Sequence, residues 1–213
     1  MIADWRACHL EAHDLTLMRG DSLLFANLSL NVNSGEALAL RGPNGSGKTS
    51  LLRVLAGLTR PDSGRIRWCG YDAIALAPAR RSATFYAGHA QALKDDLNVA
   101  ENLDFQLQLD GVDIAAKTRD HALECAGLWT RRHLSIKKLS QGQKRRVGLA
   151  RMMLAQRPLW LLDEPTNALD AEGAAWFGEL VRAHLAAGGM AIIASHLPLD
   201  GASTLRELRL TEQ

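Results

Sequence analysis

Gly42-Pro43-Asn44-Gly45-Ser46-Gly47-Lys48-Thr49 matches the spacing G-x-x-x-x-G-K-[ST] at every fixed position, and its flanks read as a strand and a helix. Ala37-Leu38-Ala39-Leu40 is a short apolar run suited to a buried strand, and Ser50 to Ala56 reads as a helix that stops at Gly57. Glycines at 42, 45 and 47 open backbone angles closed to other residues. Successive N–H groups can then turn inward toward a phosphate, while the helix N-terminus adds its positive end. Lys48 supplies a mobile charge for the outer phosphates, and Thr49 a hydroxyl for a Mg²⁺ ion that bridges their oxygens.

Upstream, from Ala7 to Leu40, apolar residues alternate with polar ones: Leu10 and Ala12, Leu15 and Leu17, then Leu28, Leu30 and Val32. Period two over such lengths predicts antiparallel strands with one wet face, and Asn33-Ser34-Gly35 is the turn into the next strand. Downstream, the turn chemistry of Thr59 to Gly64 leads into a short strand at Arg65–Cys69, with another at Thr84–Ala87. Between about Gly88 and Pro158 the pattern becomes helical. Asn98 with Glu101 predicts a capped helix carrying Val99, Leu103 and Leu107 on one face, and a second helix covers Ala115 to Ala126. Ser140-Gln141-Gly142-Gln143 has the form of a capping box and opens a third helix, with Val147, Ala150 and Leu154 facing one way. Beyond Pro158 the strand Leu159-Trp160-Leu161-Leu162 ends in Asp163-Glu164. A helix around Trp176 to Leu185 follows, and then a buried strand, Met190 to Ala194, precedes Ser195-His196. Ligands of open α/β sheets sit at the carboxyl ends of strands, so Asp163, Glu164 and His196 are expected to converge on phosphates held at Lys48.

The 213 residues suffice for one fold unit with a sizeable core, and the net charge of +2 supplies no global attraction to nucleic acid or to an acidic membrane. Cys8, Cys69 and Cys125 are scattered without a C-x-x-C pair, a usage suited to free thiols in a reducing compartment. No run approaches the roughly 18 apolar residues of a membrane span, and the first residues lack the apolar stretch of a signal peptide. A soluble, cytoplasmic chain is therefore expected.

The phosphate loop, Leu139-Ser140-Gln141-Gly142-Gln143, Asp163-Glu164, Asn167-Ala168-Leu169-Asp170 and His196 follow one another as in ATP-binding-cassette ATPases, which the chain resembles from about Leu10 onward. The resemblance implies an α/β P-loop NTPase fold: a RecA-like core with N-terminal antiparallel strands (7–87 and 158–213) and an inserted helical subdomain (88–157). It further implies that residues 42 to 49 (Gly42, Pro43, Asn44, Gly45, Ser46, Gly47, Lys48, Thr49) bind ATP, with Thr49 and Asp163 on Mg²⁺. Glu164 would polarise the attacking water, and His196 would reach the γ-phosphate. Ser140, Gly142 and Gln143 would clamp ATP held by the other subunit of a head-to-tail dimer, with Asp170 at the dimer contact.

Three positions depart from the family pattern. Gln141 replaces the first glycine of the usual L-S-G-G-Q. Gapless counting puts Arg19 where an adenine-stacking aromatic is usual; its guanidinium can stack on a base, but a solvated arginine fits as well. The glutamine that links the metal to the helical insert falls on His89 by the same counting, with Gln91 two residues on, and the sequence leaves both open.

Within the superfamily the chain is similar to the ATP-binding subunits of haem exporters of bacterial cytochrome c maturation. The similarity rests on Gly88-His89, Leu93-Lys94, Glu101-Asn102-Leu103, Gln143 to Val147, and Gly188-Gly189 before Ser195-His196-Leu197-Pro198. It implies transmembrane partner subunits, an ATPase pair, a periplasmic haem chaperone acting indirectly, and a place on the cytoplasmic face of the inner membrane. An exporter for another cargo would carry the same site residues, and relatives acting on ribosomes or DNA form a separate class. The basic residues Lys137, Lys138, Lys144, Arg145, Arg146 and Arg151 are expected as a solvated face, and no nucleic-acid partner is expected.

Overall fold

The alternation that begins at His9 is a long antiparallel hairpin, β1 (His9–Arg19) with β2 (Ser22–Asn33), in which Leu10, Ala12, Leu15 and Leu17 are buried. The computed structural model describes residues 8–73, 81–89, 91–195 and 205–211. In the antiparallel sheet the strand order is β2-β1-β4-β5, with β4 at Ser63–Trp68 and β5 at Tyr71–Asp72. The wet face carries His9, Glu11 and His13, while the dry face joins a core with the phosphate-loop strand and helix.

A second, parallel sheet has the order β6-β7-β8-β3-β9, formed by Thr84–Ala87, Leu159–Asp163, Met190–Ala194, Ala37–Arg41 and Leu205–Arg209. Every residue of β7 and β8 is buried, as a parallel strand covered on both faces requires, and the apolar runs in the sequence reflect this. Each fully buried Leu or Ile contributes about 1.5–3 kcal/mol, so Leu38, Leu40, Leu161, Ile192 and Leu51 anchor the sheet and helix α1 (Lys48–Leu55) in one core. Because β8 lies between β7 and β3, the ends of the strands bearing Asp163 and the phosphate loop are one strand apart.

The chain divides into two compact units: Met1–Gly88 with Arg157–Glu164 and Val181–Gln213, and His89–Gln156 with Pro165–Leu180. The second unit is helical. It holds α2 (Val99–Leu109), α3 (Ala116–Cys125), α4 (Gln141–Ala155) and the first residues of α5 (Ala171–Ala186). Both expected capping boxes form, Asn98 with Glu101 and Ser140 with Gln143. Val99, Leu103, Leu107, Val147, Ala150 and Leu154 meet in this unit's own core.

Two features depart from the sequence reading. Cys8 and Cys69, expected as free thiols, are joined in a disulfide, while Cys125 is free and exposed. The pairing follows from register: Leu10 lies opposite Trp68, and Cys69 N–H donates to His9 O (2.8 Å), which brings residues 61 apart in sequence together. Strand β9 is the second departure. Leu205-Arg206-Glu207-Leu208-Arg209 is mostly exposed at a sheet edge, where charged side chains are tolerated and no apolar run develops.

Candidate nucleotide site

In the first unit, β3 delivers the chain into the loop 42–47, where Gly42, Gly45 and Gly47 have φ of 144°, 90° and 91°. At Gly42 the need is also spatial: a Cβ there would lie 2.3 Å from the Leu210 carbonyl oxygen. Gly47 caps α1, and Lys48 opens it, 8% exposed. The Lys48 ammonium donates to the carbonyls of Gly42 (2.7 Å) and Pro43 (2.8 Å), so its charge lies along the rim of the loop. Ser46 Oγ is buried with no hydrogen-bond partner. A buried hydroxyl in that state costs about 1–3 kcal/mol, and an anion in the loop would remove the cost.

Thr49 Oγ1 donates to Asp163 Oδ2 at 2.8 Å, joining the first turn of α1 to the end of β7. The pair offers hard oxygen donors of the type Mg²⁺ takes alongside phosphate oxygens, so these residues fit a Mg²⁺-nucleotide. Burial, and then the Asp163 charge, push the Tyr86 phenol upward, which keeps it neutral beside this carboxylate. Glu164 follows at φ 48°, a left-handed conformation costing a residue with a side chain about 1–2 kcal/mol. Its N–H donates to Ala194 O at 2.8 Å, holding the kink against β8. His196 lies outside the described residues. Arg19 stands exposed at the end of β1, opposite Ser22 across the hairpin turn.

In the second unit, Ser140 caps α4: its Oγ accepts from Gln143 N–H (3.2 Å), and Gln143 Oε1 accepts from Ser140 N–H (3.0 Å). Gly142 abuts the neighbouring loop so closely that a Cβ would sit 2.4 Å from Ala168 O. Gln141, in contrast, is exposed, so the departure from glycine there is accommodated. Asp170 accepts from Gly173 N–H (2.9 Å) at the start of α5 and from Arg146 Nη2 (2.6 Å). The Gly173 N–H first, and Arg146 second, hold its carboxyl below the usual range. His89 and Gln91 line a cavity of about 480 Å³ with Gln141, Lys144 and Asn167. Gln91 also grips α4: with its amide assigned in the one orientation that satisfies both of its ends, Oε1 accepts from Arg145 N–H at 3.1 Å and the amide nitrogen donates to Lys144 O, whereas His89 is exposed.

The basic residues do not form the single solvated face expected. Arg145 and Arg146 are buried, Arg146 donating to Asp170, Glu172 and Ala126 O, and Arg151 makes a two-pronged pair with Asp110. The periodicity of α4 carried the missed signal, since 146 and 150 fall on its apolar side.

The family model described as "ABC transporter" matches residues 25–167, a span running from β2 through the phosphate loop and α4 to Asn167. The chain belongs to the ABC transporter family. The "Cytochrome c biogenesis ATP-binding export protein CcmA" of Pseudomonas aeruginosa is 44% identical over 199 residues, covering 92% of this chain and 98% of that protein. The protein of the same description from Dechloromonas aromatica is 45% identical over 202 residues, covering 94% and 99%. Among solved structures, a putative ABC transporter ATP-binding protein from Pyrococcus furiosus superposes with a TM-score of 0.82 at 25% identity, covering 94% of this chain and 97% of that one. The fold is accordingly that of the ABC ATPases, and the two sheets and the helices described above are its parts. Among the described residues, no helix is long and apolar enough to cross a membrane.

Proposed function

We propose that this ABC ATPase hydrolyses Mg-ATP in a head-to-tail pair of ATPase chains and drives transmembrane subunits in haem export, or in haem-chaperone release, for cytochrome c biogenesis. The chemistry rests chiefly on one observation: the Thr49–Asp163 contact beside the phosphate loop, with Glu164 next in the chain. The cargo rests on the identity of more than two fifths across nearly the whole chain to proteins named for cytochrome c biogenesis export.

In this reading Lys48 leaves the Gly42 and Pro43 carbonyls for phosphate oxygens, and the loop N–H groups and Ser46 Oγ complete the cradle. Thr49 and Asp163 hold Mg²⁺, which neutralises charge developing on the phosphates. Glu164 orients the attacking water and takes its proton on a carboxylate oxygen. Ser140, Gly142 and the N-terminus of α4 act on the nucleotide of the opposite chain, with Asp170 at that contact, and His196 senses the γ-phosphate. The pair sits on the cytoplasmic face of a bacterial inner membrane.

The chemistry is tested by Glu164→Gln in the assembled transporter. ATP binding should persist while turnover falls by about 100-fold or more, and a nucleotide-bound dimer should accumulate. Wild-type turnover would remove Glu164 from its role. The cargo is tested by expressing the gene in a bacterium lacking its own cytochrome c biogenesis export ATPase. Restored covalent haem on c-type cytochromes is expected, and failure despite normal expression and ATPase activity would point to another cargo.

A further inference from the structure

We infer that Arg41 is a positioning residue that aligns Glu164 with the phosphate loop. The inference rests on the hydrolytic reading just proposed. Arg41 is the last residue of β3, immediately before Gly42. Its Nη1 donates to Ser195 O, and its Nε pairs with Glu207 on β9 at 3.2 Å. Its own carbonyl accepts from Leu210 N–H at 2.8 Å. This one residue thus ties the phosphate-loop strand to both of its neighbours, β8 on one side and β9 on the other.

The importance of the Ser195 contact comes from what holds the adjacent carbonyl. Ala194 O accepts from Glu164 N–H, and Ser195 O accepts from Arg41. The exit of β8 is therefore gripped at consecutive residues by the residue that follows β7 and by the last residue of β3. Glu164 and the phosphate loop have no ladder between them, since β8 intervenes. Their alignment passes through those two carbonyls, in parallel with the Thr49–Asp163 bond. A carboxylate that must present water in line with a phosphorus atom loses rate steeply with sub-ångström displacement, whereas phosphate binding is served by the loop itself. The guanidinium is suited to the task because its fork addresses two acceptors in one plane. Burial supports the geometry: the Arg41 side chain is 18% exposed, and Ser195 is 1% exposed.

The test is steady-state hydrolysis by Arg41→Leu and Arg41→Lys in the assembled transporter, below the melting temperature of every variant. Arg41→Leu should lower kcat about tenfold and leave KM for Mg-ATP within about twofold. Arg41→Lys should recover to within about threefold of wild type, because an ammonium can still reach Ser195 O or the Glu207 carboxylate. An unchanged kcat in Arg41→Leu, parallel losses in kcat and KM, or a lysine variant no better than leucine would each overturn the inference. If the leucine variant does not fold, Arg41→Lys carries the test: a modest fall in kcat at constant KM supports the role, and any other pattern overturns it. Glu164→Gln assayed alongside separates the two levels. Full turnover there removes the hydrolytic reading and this inference with it, whereas collapse there with normal kcat in Arg41→Leu removes the inference alone.

Discussion

The phosphate-loop unit and the helical unit place three of the polar residues proposed for the nucleotide site in different surroundings. Ser46, Lys48 and Asp163 are 2%, 8% and 3% exposed, held in the loop, at the first residue of α1 and at the end of β7. Ser140, Asn167 and Asp170 are exposed, and Ser140 and Asp170 are engaged in hydrogen bonds close at hand, the capping box and the Gly173 and Arg146 contacts. A buried set in a cradle is arranged to receive a ligand. An exposed set whose backbone donors are already arranged at a helix N-terminus is arranged to be presented to something outside its own unit. The difference supports a composite site in which one chain supplies the cradle and another the cap.

The most severe way to break that contrast is to disable one half at a time. Lys48→Ala should abolish turnover by removing the only buried ammonium among the described loop residues, and Ser140→Arg should do so by filling the presented helix N-terminus, each by about 100-fold. Mixed in equal amounts, the two variants should recover about a quarter of wild-type activity, because half the pairs are mixed and each mixed pair has one intact site. No recovery, with mixed pairs shown by mass spectrometry, would mean that each chain completes its own site.

A smaller effect distinguishes the units by pH. In the first unit His184 stacks on Trp160 at 3.7 Å, and burial pushes its imidazole down to about 4, against the opposing pull of backbone groups at Met190 and Pro158. The folded chain therefore keeps the ring neutral over a range where the unfolded chain, with an ordinary value near 6.5, is already protonated. Between about 6.5 and 4, stability must fall as pH falls, by roughly 2 kcal/mol at pH 5. Thermal melting from pH 7.5 to 5 should show this loss, and His184→Gln should flatten the slope. An equal slope in that variant would assign the acid sensitivity elsewhere.

What the sequence made legible is what neighbouring residues decide among themselves. The loop spacing, both capping boxes and the buried runs of β3, β7 and β8 depend on contacts within a few residues, and all can be read along the chain. The Arg41–Ser195 bond spans 154 positions, and the Cys8–Cys69 pair spans 61. Both arise only once sheet order and register are set. Strand β9 escaped because an edge strand is stabilised by backbone pairing more than by side-chain burial, so its charged sequence carries no period of two. Arg146 escaped because composition cannot tell an arginine that faces water from one that crosses to a neighbouring loop; its place on the apolar side of α4 does.

The finest contrast lies within the helical unit, between His89 and Gln91, which line the same cavity and differ in what they hold. In the amide orientation that pairs both of its ends, Gln91 accepts from the Arg145 N–H and donates to Lys144 O on α4, which ties the amide to the helix beginning at the presented serine cap. His89 is exposed and carries the only imidazole among the residues lining that cavity. If His89 occupies the position that couples the nucleotide to the membrane subunits, His89→Ala should reduce the stimulation of ATPase rate by those subunits about two- to fivefold while nucleotide binding persists. Gln91→Ala should instead cost about 1 kcal/mol of stability, the worth of a lost hydrogen bond, and leave the stimulation ratio close to wild type. The two variants are read by the same pair of measurements, a melting curve and the ratio of rates with and without membrane subunits. Should Gln91→Ala lose the stimulation while His89→Ala keeps it, coupling runs through the grip on α4, and the helix presenting Ser140 is itself the moving part.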